Sequence, residues 1–185
     1  RAAMAGADYQ YCAGILPYCI FNQSLYFLLG KSKRTGRLVT FSGKNEARED
    51  DPCVTACREG YEETLGIIEH ALLLKKVRSC TPQQTLRSQT PRGKPCYTYI
   101  IEIPYKKYYT SSFQITRDLL RSMNINVASL NEMSDIKWVC ANTMFTKIRA
   151  SWQMNGMLKS HDEWSKLTGL QKLHGPWRRA DDAPA

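Results

Sequence analysis

The stretch GKNEAREDDPCVTACREGYEETLGI, residues 43–67, contains seven of the 17 acidic residues of this chain. If its second half is helical, Glu59, Glu62 and Glu63 share one face, because residues three and four positions apart are neighbours on a helix. Carboxylates this close repel each other unless a cation neutralises them. Mg²⁺ and Mn²⁺ prefer carboxylate oxygens and commonly bridge a protein to a phosphate group. The pattern therefore predicts a divalent-cation site, and a solvated acidic helix face is the alternative.

The predicted helix has recognisable start and stop signals. Asp51 suits the N-cap and Pro52 the first turn. Gly66 suits the C′ position after the last turn. Gly60 weakens a helix interior by ~1 kcal/mol, and close packing against a strand would explain its presence. The residues predicted to form the buried face are Val54, Cys57 and Tyr61.

The same stretch resembles the Nudix box, the signature of the Nudix hydrolases. The family pattern is G-x5-E-x7-R-E-U-x-E-E-x-G-U, in which U is a bulky apolar residue. The matching positions are Gly43, Glu49, Arg58, Glu59, Glu62, Glu63, Gly66 and Ile67. Eight residues instead of seven separate Glu49 from Arg58. Gly60 stands at the first U position, and Leu65 is one extra residue before Gly66. The spacing from the arginine to the last glutamate, which sets the metal geometry, is intact.

This resemblance implies an α/β/α sandwich with a mixed sheet and extra C-terminal helices. It also implies a hydrolase of phosphoric anhydride bonds that depends on Mg²⁺ or Mn²⁺. Glu59, Glu62 and Glu63 would bind the metal with help from the Gly43 carbonyl, and Glu59 is either a ligand or the general base. Arg58 would hold a glutamate by a forked hydrogen bond. The candidates for a further acid are Glu49, Glu132 and Asp135, and solvated turn residues are the alternative for the last two.

We expect a single domain, residues 1–185, with a core over 9–150 and a C-terminal helical extension over 151–178. The predicted strands are residues 9–21, 25–29, 38–41, 71–74, 96–103 and 136–139. The further predicted helices are 113–123, with Leu119, Leu120 and Met123 as its apolar face, 143–154 and 161–173. Pro17 indicates an edge strand or a bulge, and the polar residues 81–94 indicate a long loop.

The net charge of +9 predicts an anionic ligand. The acidic stretch holds so many of the acids that the rest of the surface is more basic than the average. Solubility or a basic source proteome is the alternative. The candidate phosphate-binding residues are Lys31, Lys33, Arg34, Lys44, Arg87, Arg92 and Lys94. The aromatic residues that could stack on a base are Tyr97, Tyr99, Trp138 and Trp152, with a place in the core as their alternative.

Seven cysteines are spread singly through the chain, and none forms a CxxC pair. An odd number without a pairing pattern predicts reduced thiols and an intracellular, cytoplasmic protein. The three histidines lie far from any cysteine pattern, so we expect no zinc site. No apolar run is long enough to span a bilayer, and we expect no membrane partner.

Three classes of diphosphate substrate fit these features: 5′-capped RNA, diphosphoinositol polyphosphates, and small nucleotides such as nucleoside triphosphates or nucleoside diphosphate sugars. Excess positive charge favours the first two, because phosphate neutralisation scales with the number of contacts. A long insert after Pro104, which carries Lys106 and Lys107, makes the chain resemble compact RNA-decapping Nudix enzymes such as those of large DNA viruses. We therefore expect mRNA decapping first, with release of the cap nucleotide as a diphosphate, and diphosphoinositol polyphosphate next. A catalytically silent module that binds RNA or a phosphate ligand is the alternative of another class, although such a module has no need for three clustered acids.

Overall fold

A seven-stranded mixed sheet forms the centre of the fold. It is seen in a computed structural model that describes residues 9–125, 127, 129–141 and 143. The strands are β1 (Cys12–Phe21), β2 (Ser24–Ser32), β3 (Leu38–Val39), β4 (Phe41–Lys44), β5 (Thr85–Gln89), β6 (Pro95–Glu102) and β7 (Met133–Cys140). The helices are α1 (Pro52–Glu63), α2 (His70–Arg78) and α3 (Tyr109–Ser122), with short 3₁₀ turns at Pro82–Gln84 and Ser129–Asn131. Because β1 and β6 are parallel while the other described pairings are antiparallel, the predicted α/β class with a mixed sheet is confirmed.

Side chains alternate between the two faces of the sheet and form two apolar clusters. On β1, Ile15 belongs to the first cluster and Leu16 to the second, and both are fully buried. Each of the three helices contributes to the first cluster, through Cys57 on α1, Leu73 on α2 and Phe113 on α3. Among the described residues, the second cluster consists of residues in or next to the strands. The described helices therefore all cover one face.

α1 lies close to β1 because small residues form its inner side. A Cβ atom at Gly60 would be 2.6 Å from Cδ1 of Ile15, so the close packing of this glycine against a strand is confirmed. Cys57 is buried on the same side of the helix. Val54 and Tyr61, predicted to be buried, are 40% and 43% exposed. That prediction is wrong because large apolar side chains on the inner face would hold the helix away from the sheet.

The turn that ends α1 accommodates one residue more than the family pattern. Thr64 caps the helix, and both Leu65 and Gly66 have a left-handed backbone, with φ of 53° and 73°. The N–H of Leu65 donates to Glu62 O at 3.0 Å, and that of Gly66 donates to Tyr61 O at 2.8 Å. This is the Schellman pairing, in which Leu65 takes the C′ position that we predicted for Gly66. The extra residue is therefore absorbed after the helix and leaves its acidic face unchanged.

Pro17 lies inside the sheet, on a strand that stands between β2 and β6, so the edge-strand prediction is wrong. On one side of β1 the pairing with β4 ends at Ile15, and the pairing with β2 begins at Tyr18. Pro17 stands in the gap between these two ladders. A residue without an N–H is tolerated there, because no ladder partner faces it on that side.

Two segments differ from their predicted secondary structure. Residues 71–74, predicted as a strand, belong to α2, where Leu73 and Val77 are one turn apart and buried. A short apolar run has no period that distinguishes a strand from a helix. Residues 81–94, predicted as a long loop, contain β5, which pairs with β6. Because β5 lies at the end of the strand order, its polar side chains stay partly exposed and hide the strand signal.

α3 begins before its predicted start and packs by its N-terminal half, through the buried residues Tyr109 and Phe113. Leu119 and Met123, predicted in its apolar face, are 56% and 60% exposed, so that part of the prediction is wrong. None of the helices in the described residues is long and apolar enough to cross a membrane. The predicted helices 143–154 and 161–173 and the extension 151–178 lie outside the described residues, apart from residue 143.

Candidate functional site

Arg58 on α1 connects the loop after β4 to the acidic face of the helix. Its Nε and Nη2 donate to the two carboxylate oxygens of Glu49, at 2.7 and 3.1 Å, and Nη2 also donates to Lys44 O at 2.9 Å. Its Nη1 donates to Glu59 Oε1 at 2.7 Å and to Glu62 Oε2 at 3.4 Å. Burial by itself lowers the pKa of Arg58, but the hydrogen bonds and charges of Glu49 and Glu59 raise it overall. Arg58 is therefore a permanent cation that orders three glutamates.

Glu49 has the contacts of a positioning residue for Arg58. Thr55 Oγ1 and the backbone N–H of Glu46 donate to its Oε2 at 2.8 and 2.9 Å, in addition to the two bonds from Arg58. Burial favours its protonated form, but these hydrogen bonds lower the pKa of Glu49 overall. It does not line the cavity over the acidic face. The candidate role of Glu49 as a further acid at the reaction centre is therefore not supported by its contacts.

The carboxylate of Glu59 lies against the backbone of Gly43. A Cβ atom at position 43 would be 2.2 Å from Oε1 and 2.5 Å from Oε2 of Glu59, so the carboxylate can occupy this place only beside a glycine. The side chain of Glu59 is 12% exposed. Burial raises its pKa to about 7 against the opposite effect of Arg58, and the charges of Glu62 and Glu132 add to the increase. A cation in addition to Arg58 would stabilise the charged form.

Glu63 is a buried acid, only 4% exposed. The backbone N–H of Ser42 donates to its carboxylate, but Oε2 has no hydrogen-bond partner. Burial raises the pKa of Glu63 well above its ordinary value, and the nearby charges of Glu59 and Glu132 raise it further. A buried carboxylate oxygen without a partner is destabilising. A divalent cation at this oxygen would relieve that penalty, so Glu63 fits the metal that the resemblance implies.

The candidate ligands Glu59, Glu62 and Glu63 are not grouped around one point in the structure. Within the described residues, no group of three His, Cys, Asp or Glu side chains has the arrangement of a metal site. Glu59 and Glu63 line one cavity together with Gly43 and Glu132. Glu62 does not line it, and its side chain is 23% exposed. Of the candidate metal ligands, those that line the same cavity are therefore Glu59, Glu63 and Gly43, which would contribute its carbonyl.

A cavity of about 930 Å³ opens over these carboxylates. The basic residues that line it, apart from Arg58, are Lys33, Arg34, Arg37 and Lys44. Lys33 Nζ donates to Asn131 Oδ1, and the backbone N–H of Lys33 donates to Glu132 O at 2.9 Å. Burial lowers the pKa of Lys33, and the positive charges of Arg121 and Arg117 lower it further. These contacts tie the basic turn after β2 to the segment that precedes β7, so cationic and acidic side chains line the same space.

The structure separates the predicted phosphate-binding residues into two groups. Lys33, Arg34 and Lys44 line the cavity, whereas Lys31, Arg87, Arg92 and Lys94 do not. Arg37 lines it as well, although it is not among the predicted phosphate-binding residues. The available signal was its place in the basic segment GKSKRTGR, residues 30–37, which also carries Lys33 and Arg34.

The two remaining candidates for a further acid, Glu132 and Asp135, have different surroundings. Glu132 lines the cavity, and its charge acts on both Glu59 and Glu63. Asp135 accepts a hydrogen bond from Gln114 Nε2 at 2.7 Å and so ties β7 to α3. Of these candidates, only Glu132 is placed where it could act on a substrate in this cavity.

None of the predicted base-stacking residues within the described part of the chain lines the cavity. Tyr97 packs edge-on against Tyr11, and Trp138 stacks on Tyr109 with ring centroids 6.1 Å apart. Tyr99 is buried. These three aromatic residues therefore belong to the packing of the fold, and Trp152 lies outside the described residues.

No protein-family model matches the chain, and no curated protein matches it. Among solved structures, a Caenorhabditis elegans Ap4A hydrolase binary complex is 16% identical with a TM-score of 0.48, covering 88% of this chain and 97% of that chain. The NUDIX domain of Shewanella oneidensis NrtR in complex with ADP-ribose is 13% identical with a TM-score of 0.49, covering 90% and 94%. A NUDIX-family hydrolase from Clostridium perfringens is 11% identical with a TM-score of 0.45, covering 87% and 99%. The second and third of these structures carry the NUDIX name.

Proposed function

We propose that this chain is a metal-dependent hydrolase of phosphoric anhydride bonds. The observation that carries the proposal is the buried Oε2 of Glu63, which has no hydrogen-bond partner and belongs to a residue lining a cavity with basic walls. An unpaired buried carboxylate is destabilising, so a protein that needed only a stable core would gain from its removal. Such an acid beside cationic side chains fits a divalent ion that bridges the protein to a phosphate group.

In this proposal, the acidic residues and Gly43 would bind the metal ion, and Arg58 orients one of the ligands. Glu59, Glu63 and the Gly43 carbonyl would hold Mg²⁺ or Mn²⁺, and Glu62 is the further candidate ligand. The ion would act as a Lewis acid that neutralises charge on the phosphate oxygens. Arg58 keeps the Glu59 carboxylate against Gly43 through the hydrogen bond of 2.7 Å from its Nη1.

Two carboxylates at the cavity are candidates for the general base. Glu59 is already held by Arg58 and packed against Gly43. Glu132 is exposed at the same cavity and is accessible to a water molecule. We therefore assign the role of general base to Glu132, with Glu59 as the alternative. The base takes a proton from the attacking water, and the water oxygen bonds to phosphorus. The bond from that phosphorus to the bridging oxygen breaks, and the second phosphate group leaves with this oxygen.

The cavity walls favour a substrate that is dense in phosphate. Lys33, Arg34, Arg37 and Lys44 can each neutralise a phosphate oxygen. The described residues that line the cavity include no phenylalanine, tyrosine or tryptophan, so they offer no ring on which a base could stack. Of the substrate classes that the sequence leaves open, diphosphoinositol polyphosphate is the densest in phosphate and has no base. We place it first for this reason.

Capped RNA is the second candidate, and the net charge of +9 supports it. A long polyanion can use positive charge outside the cavity, and its affinity then falls steeply with salt. A cap base is usually held by stacking between aromatic side chains, which the described lining lacks. Capped RNA therefore requires contacts that the cavity lining alone does not provide.

The test is a side-by-side turnover panel with diphosphoinositol polyphosphate, cap-labelled RNA, a dinucleoside polyphosphate and a nucleoside triphosphate. Each substrate is assayed with Mg²⁺, with Mn²⁺ and with a chelator, at two salt concentrations. We expect metal-dependent turnover, fastest on diphosphoinositol polyphosphate. Faster turnover of capped RNA, with a steep loss at high salt, would reverse the order of the two candidates.

Matched variants separate an enzyme from a binding module. Glu63→Gln should abolish turnover, whereas Glu102→Gln, an exposed acid on β6 outside the cavity, should leave it unchanged. A module without catalysis would bind the phosphate-dense ligand in a metal-dependent way and release no phosphate. That result, for all four substrates, would overturn the proposed function.

A further inference from the structure

Two thiols lie side by side on the neighbouring parallel strands β1 and β6. Cys12 is the direct register partner of Cys96, and the two side chains are close enough to share a hydrogen bond. Neighbouring strands lie about 4.8 Å apart. This separation falls within the Cα–Cα range of about 4.4–6.8 Å that a disulfide tolerates. The strand pairing therefore places the two sulfur atoms where they could be joined after only a small shift of the strands.

Both thiols line the cavity of the proposed active site. Cys96 is buried and Cys12 is half-buried, so a small oxidant in the cavity reaches Cys12 first. Lys44, which also lines the cavity, is the register partner of Cys12 on the other side of β1. The hydrogen bond with Cys96 and burial raise the pKa of Cys12, and the charge of Lys44 opposes them only in part. Oxidation of Cys12 is therefore slow, and Cys96 is in place for the second step.

The other cysteines are placed differently. Cys53 donates to the hydroxyl of Tyr99 at 3.4 Å, and Cys80 donates to backbone carbonyls. Cys19, Cys57 and Cys140 are buried. None of these five lines the cavity, whereas Cys12 and Cys96 both do. All seven cysteines lie within the described residues, and none of them forms a disulfide.

We propose that Cys12 and Cys96 are a peroxide-sensitive dithiol that closes to a disulfide and lowers the activity of the site. The Cys12 sulfur attacks one oxygen of hydrogen peroxide, the O–O bond breaks, and the other oxygen leaves as water, so that Cys12 becomes a sulfenic acid. The Cys96 sulfur then attacks the Cys12 sulfur and the S–O bond breaks, which releases a second water. Two thiols are oxidised by two electrons, and one peroxide is reduced to two waters.

The effect on activity follows from the strands that Cys12 connects, and this part rests on the proposed function. On β1, Cys12 and Ala13 pair with Lys44 and Gly43 of β4. A disulfide prefers a Cα–Cα separation of about 5.5–6 Å, larger than the strand spacing, so joining Cys12 to Cys96 pushes this end of β1 away from β6 and towards β4. The backbone of Gly43 is in close contact with Glu59, because a Cβ atom there would lie 2.2 Å from Oε1 of that residue. A displacement of β4 therefore changes the position of a carboxylate on which the reaction depends.

The experiment uses the full chain, reduced and then freed of reductant, with hydrogen peroxide at a stoichiometric amount. Free thiols are alkylated, and peptides are mapped by mass spectrometry without reduction. We expect a linked Cys12–Cys96 peptide and alkylation of the other five cysteines. Turnover of diphosphoinositol polyphosphate should fall about tenfold or more, because a small misplacement of groups in an active site lowers the rate strongly. Dithiothreitol should restore the turnover.

Variants decide whether this pair is responsible. Cys12→Ser should keep its own untreated rate after peroxide, and Cys96→Ala provides a second test if the first variant folds poorly. Cys80→Ser should remain as sensitive as the unmodified chain. A disulfide mapped to any other pair, no disulfide at all, or a Cys12–Cys96 disulfide with unchanged turnover would each overturn the proposal.

The mapping does not depend on the proposed function. If the chain hydrolyses none of the substrates, the proposed function fails while a mapped Cys12–Cys96 disulfide still stands. The cavity is then tested by the affinity for inositol hexakisphosphate, measured by calorimetry before and after peroxide. We expect weaker binding to the oxidised chain, and equal binding would overturn the link between the dithiol and the cavity.

Discussion

The backbone of Gly43 and the carboxylate of Glu59 touch so closely that a Cβ atom at position 43 would lie 2.2 Å from Oε1. The contact joins the end of β4 to the middle of α1. Because Arg58 holds the same carboxylate from the other side, through a hydrogen bond of 2.7 Å, Glu59 has little freedom to move. The position of this proposed ligand is therefore set by a glycine and an arginine together.

Gly43→Ala should lower turnover about a hundredfold with little loss of stability, because the new methyl group displaces the Glu59 carboxylate and a shift of about 1 Å can have this effect. The carboxylate is the far end of a side chain and can turn away once its hydrogen bond to Arg58 breaks, so the backbone keeps its place. The control is Gly93→Ala, where φ is +75° and the space is open. That variant should lose about 1 kcal/mol of stability and keep its turnover. Equal turnover in both variants would contradict this prediction.

Glu49→Gln should lower both stability and turnover. The amide cannot accept two charge-assisted hydrogen bonds from Arg58, and the half-buried guanidinium is left partly unpaired. We expect a loss of about 1–3 kcal/mol in urea unfolding and a lower kcat with little change in KM. The matched control is Glu46→Gln, since Glu46 is 69% exposed and 4.0 Å from Arg58. A larger effect of the control than of Glu49→Gln would show that the orientation of Arg58 has another source.

Glu63→Gln should stabilise the metal-free protein, and by more at pH 8 than at pH 5. Burial raises the pKa of Glu63 above its ordinary value of 4.5, so the folded chain keeps a proton that the unfolded chain has lost. Stability then falls as the pH rises above the ordinary value, by about 1.4 kcal/mol for each pKa unit. The variant has no proton to lose and escapes this loss. Thermal unfolding in chelator at both pH values measures the effect, and an advantage that is largest at pH 5 would contradict it.

Gly60→Ala should destabilise the fold although alanine is the better helix former. The methyl group would lie 2.6 Å from Cδ1 of Ile15 in the packed core, and overpacking of this kind costs about 1–3 kcal/mol. Ile15→Val removes that Cδ1 atom. In the Ile15→Val background the same glycine substitution should therefore be much less destabilising. A double-mutant cycle by urea unfolding gives the coupling, and additive effects would mean that the two residues do not compete for this space.

Arg37→Gln should raise KM for a phosphate-dense substrate several-fold and leave kcat nearly unchanged, because a charge that contacts a non-reacting phosphate contributes to binding equally in the ground and transition states. Lys31→Gln is the matched control. Lys31 is a basic residue of the neighbouring strand that does not line the cavity. The same increase in KM for both variants would point to the overall charge of the protein instead of a contact in the cavity.

The sequence by itself determined α1 and its acidic face. The Asp51 side chain accepts from the Cys53 N–H at 2.8 Å, as predicted for an N-cap. Arg58 reaches Glu62, four residues further on, as the helical period requires. These contacts join residues within one turn of each other, and the geometry of a turn depends on local sequence alone. The prediction of a mixed α/β fold succeeds for a related reason, since strands and helices carry their own periods.

Only the tertiary structure decided which distant residues share the cavity. Glu132 stands beside Glu59 and Glu63 because β7 pairs with β2, which also brings the basic turn to the same side. Cys12 meets Cys96 through the register of two parallel strands. A shift of one residue in either pairing would turn these side chains to the opposite face. The register depends on how whole strands pack against each other, so no pattern within one segment could reveal it.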